Sequence, residues 1–236
     1  MKPLIKGIGV NTGLSFSNPW FQGFMLFMVL LLSGLLRYGL LNVPLERDEG
    51  EYAYGAQLIL SGFLPYQDLY SMKLPGIYAV YAGMIGLFGQ AQTGVHLGLL
   101  LINSATIVMM FLLGRRMLNP LAGLMASACF AVLSVSQSVQ GVFANAEHFV
   151  ILPVVAGLVL LLKAVDENRW GLVFWSGLLF GIGFIIKQHG VFFIAFGAAY
   201  LLIAHINMRP FIWKLFLSRC GLFVLGATSP YAITCA

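Results

Sequence analysis

The stretch Glu46-Arg47-Asp48-Glu49-Gly50-Glu51-Tyr52 follows the apolar run 20–41 and marks the end of the first membrane span. It holds four of the eight acidic residues in a chain of 236 residues that is 60% hydrophobic and only 9% charged. An ionised carboxylate costs about 2.5–3.5 kcal/mol at the centre of a bilayer. We therefore expect this cluster at the membrane edge, facing water, where concentrated charge indicates a functional site.

Further apolar runs approach the roughly 20 residues that a helix needs to cross a bilayer. The sequence therefore predicts an all-α polytopic membrane protein with about seven transmembrane helices and interfacial helices in the first outer loop. The segment 75–90 is apolar but short, so it fits an interfacial or re-entrant segment as well as a span. The predicted spans are 20–41, 94–114, 120–140, 149–165, 171–186, 190–206 and 212–234.

The basic residues indicate which side of the membrane each loop occupies, because cytoplasmic loops carry an excess of Lys and Arg. If 75–90 does not cross and the N-terminus is cytoplasmic, nine basic residues lie inside and three lie outside; if it crosses, the counts reverse. We therefore predict a multi-pass protein of the cell (inner or plasma) membrane with the loop 42–74 on the outer face. The nine are Lys2, Lys6, Arg115, Arg116, Lys163, Arg169, Arg209, Lys214 and Arg219, and the three are Arg47, Lys73 and Lys187.

Composition also argues against nucleic-acid binding and against a cysteine-based site. The net charge is +5, but the basic residues stand singly or in pairs at the edges of apolar runs, which is typical of topology-setting charge and not of nucleic-acid binding. The cysteines Cys129, Cys220 and Cys235 have no CxxC spacing, so they predict neither a disulfide framework nor a metal site.

The first outer loop begins with a pattern that predicts a short interfacial helix. Asp48 and Glu51 have the spacing of an N-cap and an N3 residue, so a capping role for Asp48 stands beside a catalytic one. Gly62 is a plausible residue to follow the last turn. The apolar face is expected to enter lipid, and it consists of Tyr52, Ala56, Ile59, Leu60 and Phe63.

Three predicted outer loops carry carboxylates and cations on the same side of the membrane. A carboxylate there could accept a proton from an attacking hydroxyl, and a cation could stabilise charge on a departing phosphate. The carboxylates cluster, so we expect their pKa values to be raised. The candidate acids are Asp48 and Glu147, supported by Glu49 and Glu51, and the candidate phosphate-binding cations are Lys73 and Lys187.

The remaining polar residues of these loops leave other roles open. Arg47, Tyr52 and His189 are further candidates for the site. A divalent metal bound by Glu147 and His148 is possible, although no tight ligand spacing supports it.

Several of these motifs together resemble the polyprenyl-phosphate-dependent glycosyltransferases of the type C superfamily, in particular the protein O-mannosyltransferase-like and aminoarabinose-transferase-like branch. The resemblance implies a membrane enzyme, active at the outer face, whose donor is a sugar on a polyprenyl phosphate. Asp48 matches the family's catalytic acid, Glu147 its second acidic position, and Lys73 a lysine associated with the lipid phosphate. The matching motifs are Asp48-Glu-Gly-Glu-Tyr-Ala53, Ser61-Gly62, Pro65-Tyr66, Lys73-Leu-Pro75, Asn145-Ala-Glu147 and Ile186-Lys-Gln188.

We therefore expect an inverting transferase that moves a sugar to a hydroxyl or lipid, with a protein, lipid or glycan as acceptor. The chain is expected to be one transmembrane glycosyltransferase-like module over 1–236, without the C-terminal part usual in the family, which leaves its activity alone open. The alternative is a non-catalytic membrane protein, such as a flippase or transporter of lipid-linked sugars or an assembly subunit. Spans nearly free of charge favour surface chemistry, because transporters usually place charged groups at mid-membrane.

Overall fold

The computed structural model describes residues 18–63, 66–207 and 212–235, and within these residues it contains helices and no strand. This confirms the predicted all-α fold. Lys2, Lys6 and Arg209, which entered the charge count, lie outside the described residues. The helices are α1 (Pro19–Tyr38), α2 (Arg47–Leu60), α3 (Gly76–Phe88), α4 (Gln92–Met117), α5 (Pro120–Leu133), α6 (Ala146–Glu167), α7 (Trp170–Ile186), α8 (Val191–Ile206) and α9 (Trp213–Thr234), with 3₁₀ turns at Gln137–Val139 and Gln188–Gly190.

Local chemistry explains where several helices begin and end. The side chains of Asn18 and Asn119 each accept a hydrogen bond from the first turn of the helix that follows, and a proline comes next in both cases. Asn168 ends α6 in the left-handed conformation at φ 54°, and Gly89 follows α3 at φ 88°.

Four helical segments in the described part of the chain are long and apolar enough to cross a membrane: Pro19–Tyr38, Gln92–Met117, Ala146–Glu167 and Gln188–Ile206. The apolar helices α5 and α7 are shorter, with 14 and 17 residues. The predicted span 120–140 was too long, because the helix ends at Leu133 and the chain then turns through the 3₁₀ segment to Gln140, whose φ is 50°.

The long helices run between two ends of one bundle. At one end, the acidic end, the starts of α2, α4 and α6 meet, because Glu49 contacts both His96 and the backbone of Ala144. At the other, the basic end, Arg116 near the end of α4 pairs with Asp166 near the end of α6. The helices α4, α6 and α8 therefore run away from the acidic end, and α1, α5, α7 and α9 run toward it.

Helix α3 does not run the length of this bundle. Gly76 at its start lies against Ile185 and Ile186 at the end of α7, and Phe88 at its end lies against Gly94 near the start of α4. Both neighbours belong to the acidic end, so α3 begins and ends there. That the segment 75–90 does not cross the membrane stays a prediction.

The prediction for the apolar face of α2 was wrong in part. Tyr52 and Ala56 are buried in the protein core, and Ile59 packs against that core. Only Leu60 and Phe63, at the end of the face, are exposed. The ring of Tyr52 packs edge-on against Tyr78 and Tyr81 of α3, so α3 covers the surface that we expected to meet lipid.

Candidate active site at the acidic end

The carboxylates Asp48 and Glu51 flank the ammonium group of Lys73. Both acids stand in the first turns of α2, and Lys73 comes just before α3. The Lys73 Nζ lies 2.8 Å from Glu51 Oε2 and 3.3 Å from Asp48 Oδ1. The same nitrogen lies 4.4 Å from the centroid of the Tyr52 ring, close enough for a cation–π contact. The α2 start and the loop before α3 therefore form one charged cluster.

Hydrogen bonds fix the carboxylate of Glu51. The hydroxyls of Tyr78 and Ser71 donate to Glu51 Oε1 at 2.8 and 3.1 Å, and Lys73 donates to Oε2. Burial alone would raise the pKa of Glu51, but these hydrogen bonds outweigh it and hold the pKa below its usual value. The expectation that clustered carboxylates have raised pKa values is therefore wrong for Glu51, because a cation and two hydroxyls stand among them.

The ammonium of Lys73 is held in its charged form. Burial disfavours the charge, but the hydrogen bonds from Lys73 to Glu51 and Asp48, with the nearby Tyr52, reverse that effect and raise the pKa of Lys73. The Tyr66 hydroxyl also donates to the Lys73 carbonyl oxygen at 2.7 Å, which anchors the backbone of this loop.

A second ion pair joins the start of α6 to the turn after α7. Lys187 donates to the carboxylate of Glu147. The Gln188 side chain donates to the Met72 carbonyl oxygen at 3.0 Å, one residue before Lys73. The loop that carries Lys73 and the loop that carries Lys187 are therefore in direct contact.

Two cavities meet at Asp48 and Lys187. The larger, of about 520 Å³, combines polar groups with an apolar wall that includes Phe130, Leu133 and Ile151. The smaller, of about 90 Å³, also has Lys73 and Tyr52 in its wall. Asp48 and Lys187 line both cavities, and Glu147 lines the larger one. A ligand with an apolar part and a charged head could therefore lie in the larger cavity with its head at these residues.

Glu49 does not belong to this site, although it was predicted as a supporting acid. Its side chain is fully buried and faces α4 and the loop before α6. The helix cap was also assigned to the wrong pair: Glu46 is the N-cap and Glu49 the N3 residue of a capping box. Asp48 and Glu51 are thus free of capping roles, because they lie on the other side of the first turns.

The possible metal site is not supported. Within the described residues, no three His, Cys, Asp or Glu side chains are placed to hold a metal ion. Glu147 is engaged by Lys187, and the buried Nδ1 of His148 contacts Asn103 Oδ1 at 3.2 Å. His189 is exposed and lines neither cavity, and Arg47 is exposed at the start of α2.

Sequence reasoning missed the polar residues that support the charged cluster. Ser71 and Tyr78 bind Glu51, and Gln140 and Asn145 line the larger cavity, where the Asn145 side chain donates to Gln140 Oε1 at 3.2 Å. The only signal for Ser71 and Tyr78 was their closeness to Lys73 in sequence. No pattern in the sequence predicts that Gln140 and Asp48 line the same cavity, since this depends on how α5 and α6 are joined.

The five charged side chains of the site have a net charge of −1 when ionised, because three carboxylates face two ammonium groups. The carboxylates can accept protons, and the ammonium groups can contact an anionic ligand.

Comparison with known proteins identifies the family. A search of curated proteins and a search of solved structures each found no match. Residues 73–233 match the family model described as dolichyl-phosphate-mannose-protein mannosyltransferase. The match covers well over half of the chain and includes Lys73, Glu147 and Lys187, whereas Asp48 and Glu51 precede it. The chain therefore belongs to the dolichyl-phosphate-mannose-protein mannosyltransferase family.

Proposed function

We propose that this membrane mannosyltransferase-like protein transfers a sugar from a polyprenyl-phosphate donor to an acceptor hydroxyl at the outer face of the membrane. The family implies a lipid-linked sugar donor and a glycan or protein acceptor in general. The module 1–236 supplies the site at the acidic end. Asp48 acts as the base, and the two lysines contact the donor phosphate.

The observation that carries the assignment of Asp48 is its place in the walls of both cavities. Its side chain is 46% exposed, and its charged partner within the described residues is Lys73 at 3.3 Å. Glu51, in contrast, accepts three hydrogen bonds and has little capacity left for a substrate proton. Asp48 is therefore the better placed carboxylate to accept a proton from a bound hydroxyl.

Lys187 and Lys73 are suited to stabilise the departing phosphate. Both line the smaller cavity beside Asp48. The Glu147 side chain that pairs with Lys187 is 61% exposed, and an exposed ion pair contributes only about 0–1 kcal/mol. A donor phosphate could therefore replace Glu147 at little cost, and the ammonium group would then face the developing negative charge.

An inverting transfer requires the base and the leaving phosphate on opposite faces of the sugar, as in an inverting hydrolase. Asp48 and Lys187 line both cavities, so a sugar bound there would contact both the proposed base and a proposed phosphate-binding cation.

The distribution of basic residues supports an outer-face site. In the described part of the chain, Arg115, Arg116, Lys163, Arg169, Lys214 and Arg219 belong to the basic end or its adjoining turns. Cytoplasmic loops are enriched in Lys and Arg. The acidic end then faces outward, with N-terminus and basic end in the cytoplasm.

The test is sugar release from a polyprenyl-phosphate sugar in membranes that contain the full chain. We expect Asp48→Asn to lower turnover by about 100-fold or more, the usual contribution of a general base. Asp166→Asn is the matched control, because Asp166 is an exposed acid paired with Arg116 at the basic end; its turnover should equal that of the native chain.

Equal turnover in native chain and Asp48→Asn would remove Asp48 from the mechanism. No release by the native chain with any acceptor, together with movement of the lipid-linked sugar between leaflets, would instead support the flippase alternative.

A further inference from the structure

The fully buried carboxylate of Glu49 binds three segments at once. Its Oε1 accepts a hydrogen bond from the Ala144 backbone N–H at 2.6 Å and contacts His96 Nε2 at 3.1 Å. Its Oε2 accepts from the Glu46 backbone N–H at 2.8 Å. Glu49 therefore joins the first turn of α2 to α4 and to the loop that leads into α6.

The surroundings of His96 indicate that its ring carries two protons. Its Nδ1 lies 3.2 Å from the Leu41 carbonyl oxygen, which can only accept a hydrogen bond. Its Nε2 faces Glu49 Oε1, an oxygen that also accepts a hydrogen bond from the Ala144 backbone N–H at 2.6 Å. Two acceptors around one imidazole are both satisfied only if both ring nitrogens carry hydrogen.

This arrangement has a direct consequence for the candidate site. Asp48 precedes Glu49 in the chain, and Glu147 follows Ala144 by three residues. The position of each of these two site carboxylates is therefore set by a backbone segment that Glu49 holds.

We propose that Glu49 and His96 form a buried ion pair that positions Asp48 relative to Glu147. Glu49 is a positioning residue, since it touches neither cavity. The inference rests on the proposed function, because its catalytic consequence presumes that Asp48 acts on the substrate.

A second buried histidine provides an internal comparison. His205 Nδ1 lies 2.8 Å from the Leu201 carbonyl oxygen, so this nitrogen carries hydrogen. Its Nε2 faces Arg219, whose guanidinium can only donate. The contact with Arg219 therefore requires Nε2 of His205 to be an acceptor, unlike either ring nitrogen of His96, although both histidines are deeply buried.

The first test is the protonation state of each histidine at pH 7, measured by solid-state ¹⁵N NMR on the full chain in bilayers with ¹⁵N-labelled histidine. We expect two protonated ring nitrogens for His96 and one for His205. His96→Gln and His205→Gln assign the signals. A signal of His96 with one unprotonated nitrogen would overturn the ion pair, whether or not the protein has transferase activity.

The second test separates positioning from folding. Glu49→Gln and His96→Gln should each lower kcat for sugar release by about 10- to 100-fold, the effect of a displacement of about 1 Å at a site, with KM for the donor nearly unchanged. His205→Gln, at the basic end, should leave kcat unchanged. The double variant Glu49→Gln/His96→Gln removes both charges together, so its loss should be smaller than the product of the two single losses.

Native kcat in a folded His96→Gln variant would overturn the positioning role even if the proposed function holds. Multiplicative losses in the double variant would do the same. If the native chain releases no sugar, the proposed function fails, and the ¹⁵N measurement still decides whether the ion pair exists.

Discussion

Gly76→Ala tests whether α3 lies directly against the end of α7. A Cβ atom at Gly76 would lie 2.5 Å from the Ile185 carbonyl oxygen, 2.6 Å from its carbonyl carbon and 2.7 Å from the Ile186 nitrogen. These are backbone atoms that no change of rotamer can move aside, so the start of α3 must shift away. Overpacking of this kind costs about 1–3 kcal/mol.

Gly83→Ala in the same helix is the matched control. Its Cβ would meet nothing within 4 Å, and replacing a helical glycine with alanine stabilises by about 0.5–1 kcal/mol. At about 2–4 °C per kcal/mol for a chain of this size, Gly76→Ala should lower the thermal midpoint by about 2–12 °C. Gly83→Ala should leave it unchanged or raise it.

The measurement is the apparent melting temperature of the purified full chain in detergent, at one scan rate for all variants. Sugar release gives a second readout, because a displacement of about 1 Å near Lys73 and Lys187 can cost up to about 100-fold in turnover. A Gly76→Ala protein that melts at or above the native temperature would refute the close contact between α3 and α7.

Two further predictions concern pH and topology. The pKa of Glu51 is lowered in the folded state, so its contribution to stability is fully present above the ordinary carboxyl pKa of about 4.3 and is lost as pH falls through the lower folded value. The difference in melting temperature between the native chain and Glu51→Gln should therefore become smaller in strong acid. A difference that stays constant from neutral to strongly acidic pH would contradict the hydrogen bonds around Glu51. Leu118 is exposed between α4 and α5. We therefore expect Leu118→Cys, in a chain without its three native cysteines, to react with a thiol reagent only when the reagent reaches the cytoplasm. Labelling from outside intact cells would overturn the topology.

Charge was the part of the sequence that predicted most, because ionised groups are costly inside a bilayer. It predicted that the first span ends before the acidic cluster, and α1 ends at Tyr38, ahead of Glu46. The charge pattern also predicted that Lys73, Glu147 and Lys187 lie on the same side. In the structure these residues line two adjoining cavities.

The spacing of the acids within the cluster was harder to interpret. Residues three apart lie on the same face of a helix, so Glu46 and Glu49 share one face and Asp48 and Glu51 share another. The sequence has four acids in six positions, but it does not indicate which pair faces the interior of the protein. The contact with His96 and Ala144 decides this, since it buries Glu49 and leaves Asp48 at the cavities.

The apolar face of α2 shows the same limit. A periodic apolar pattern predicts a surface that avoids water, but the pattern is the same whether that surface contacts lipid or protein. In the structure α3 begins and ends at the acidic end and covers Tyr52.

By itself, the sequence determined the helical membrane fold and the residue types present in the charged loops, and it predicted that these loops gather on one side of the membrane. The reason is that the cost of burying charge and the length of an apolar run are local properties of the chain. Only the tertiary structure decided that Glu51 binds Lys73, that Glu49 is buried against His96, and that Asp48 and Lys187 line both cavities. These contacts join residues tens of positions apart, and helix packing, which no local pattern specifies, brings them together.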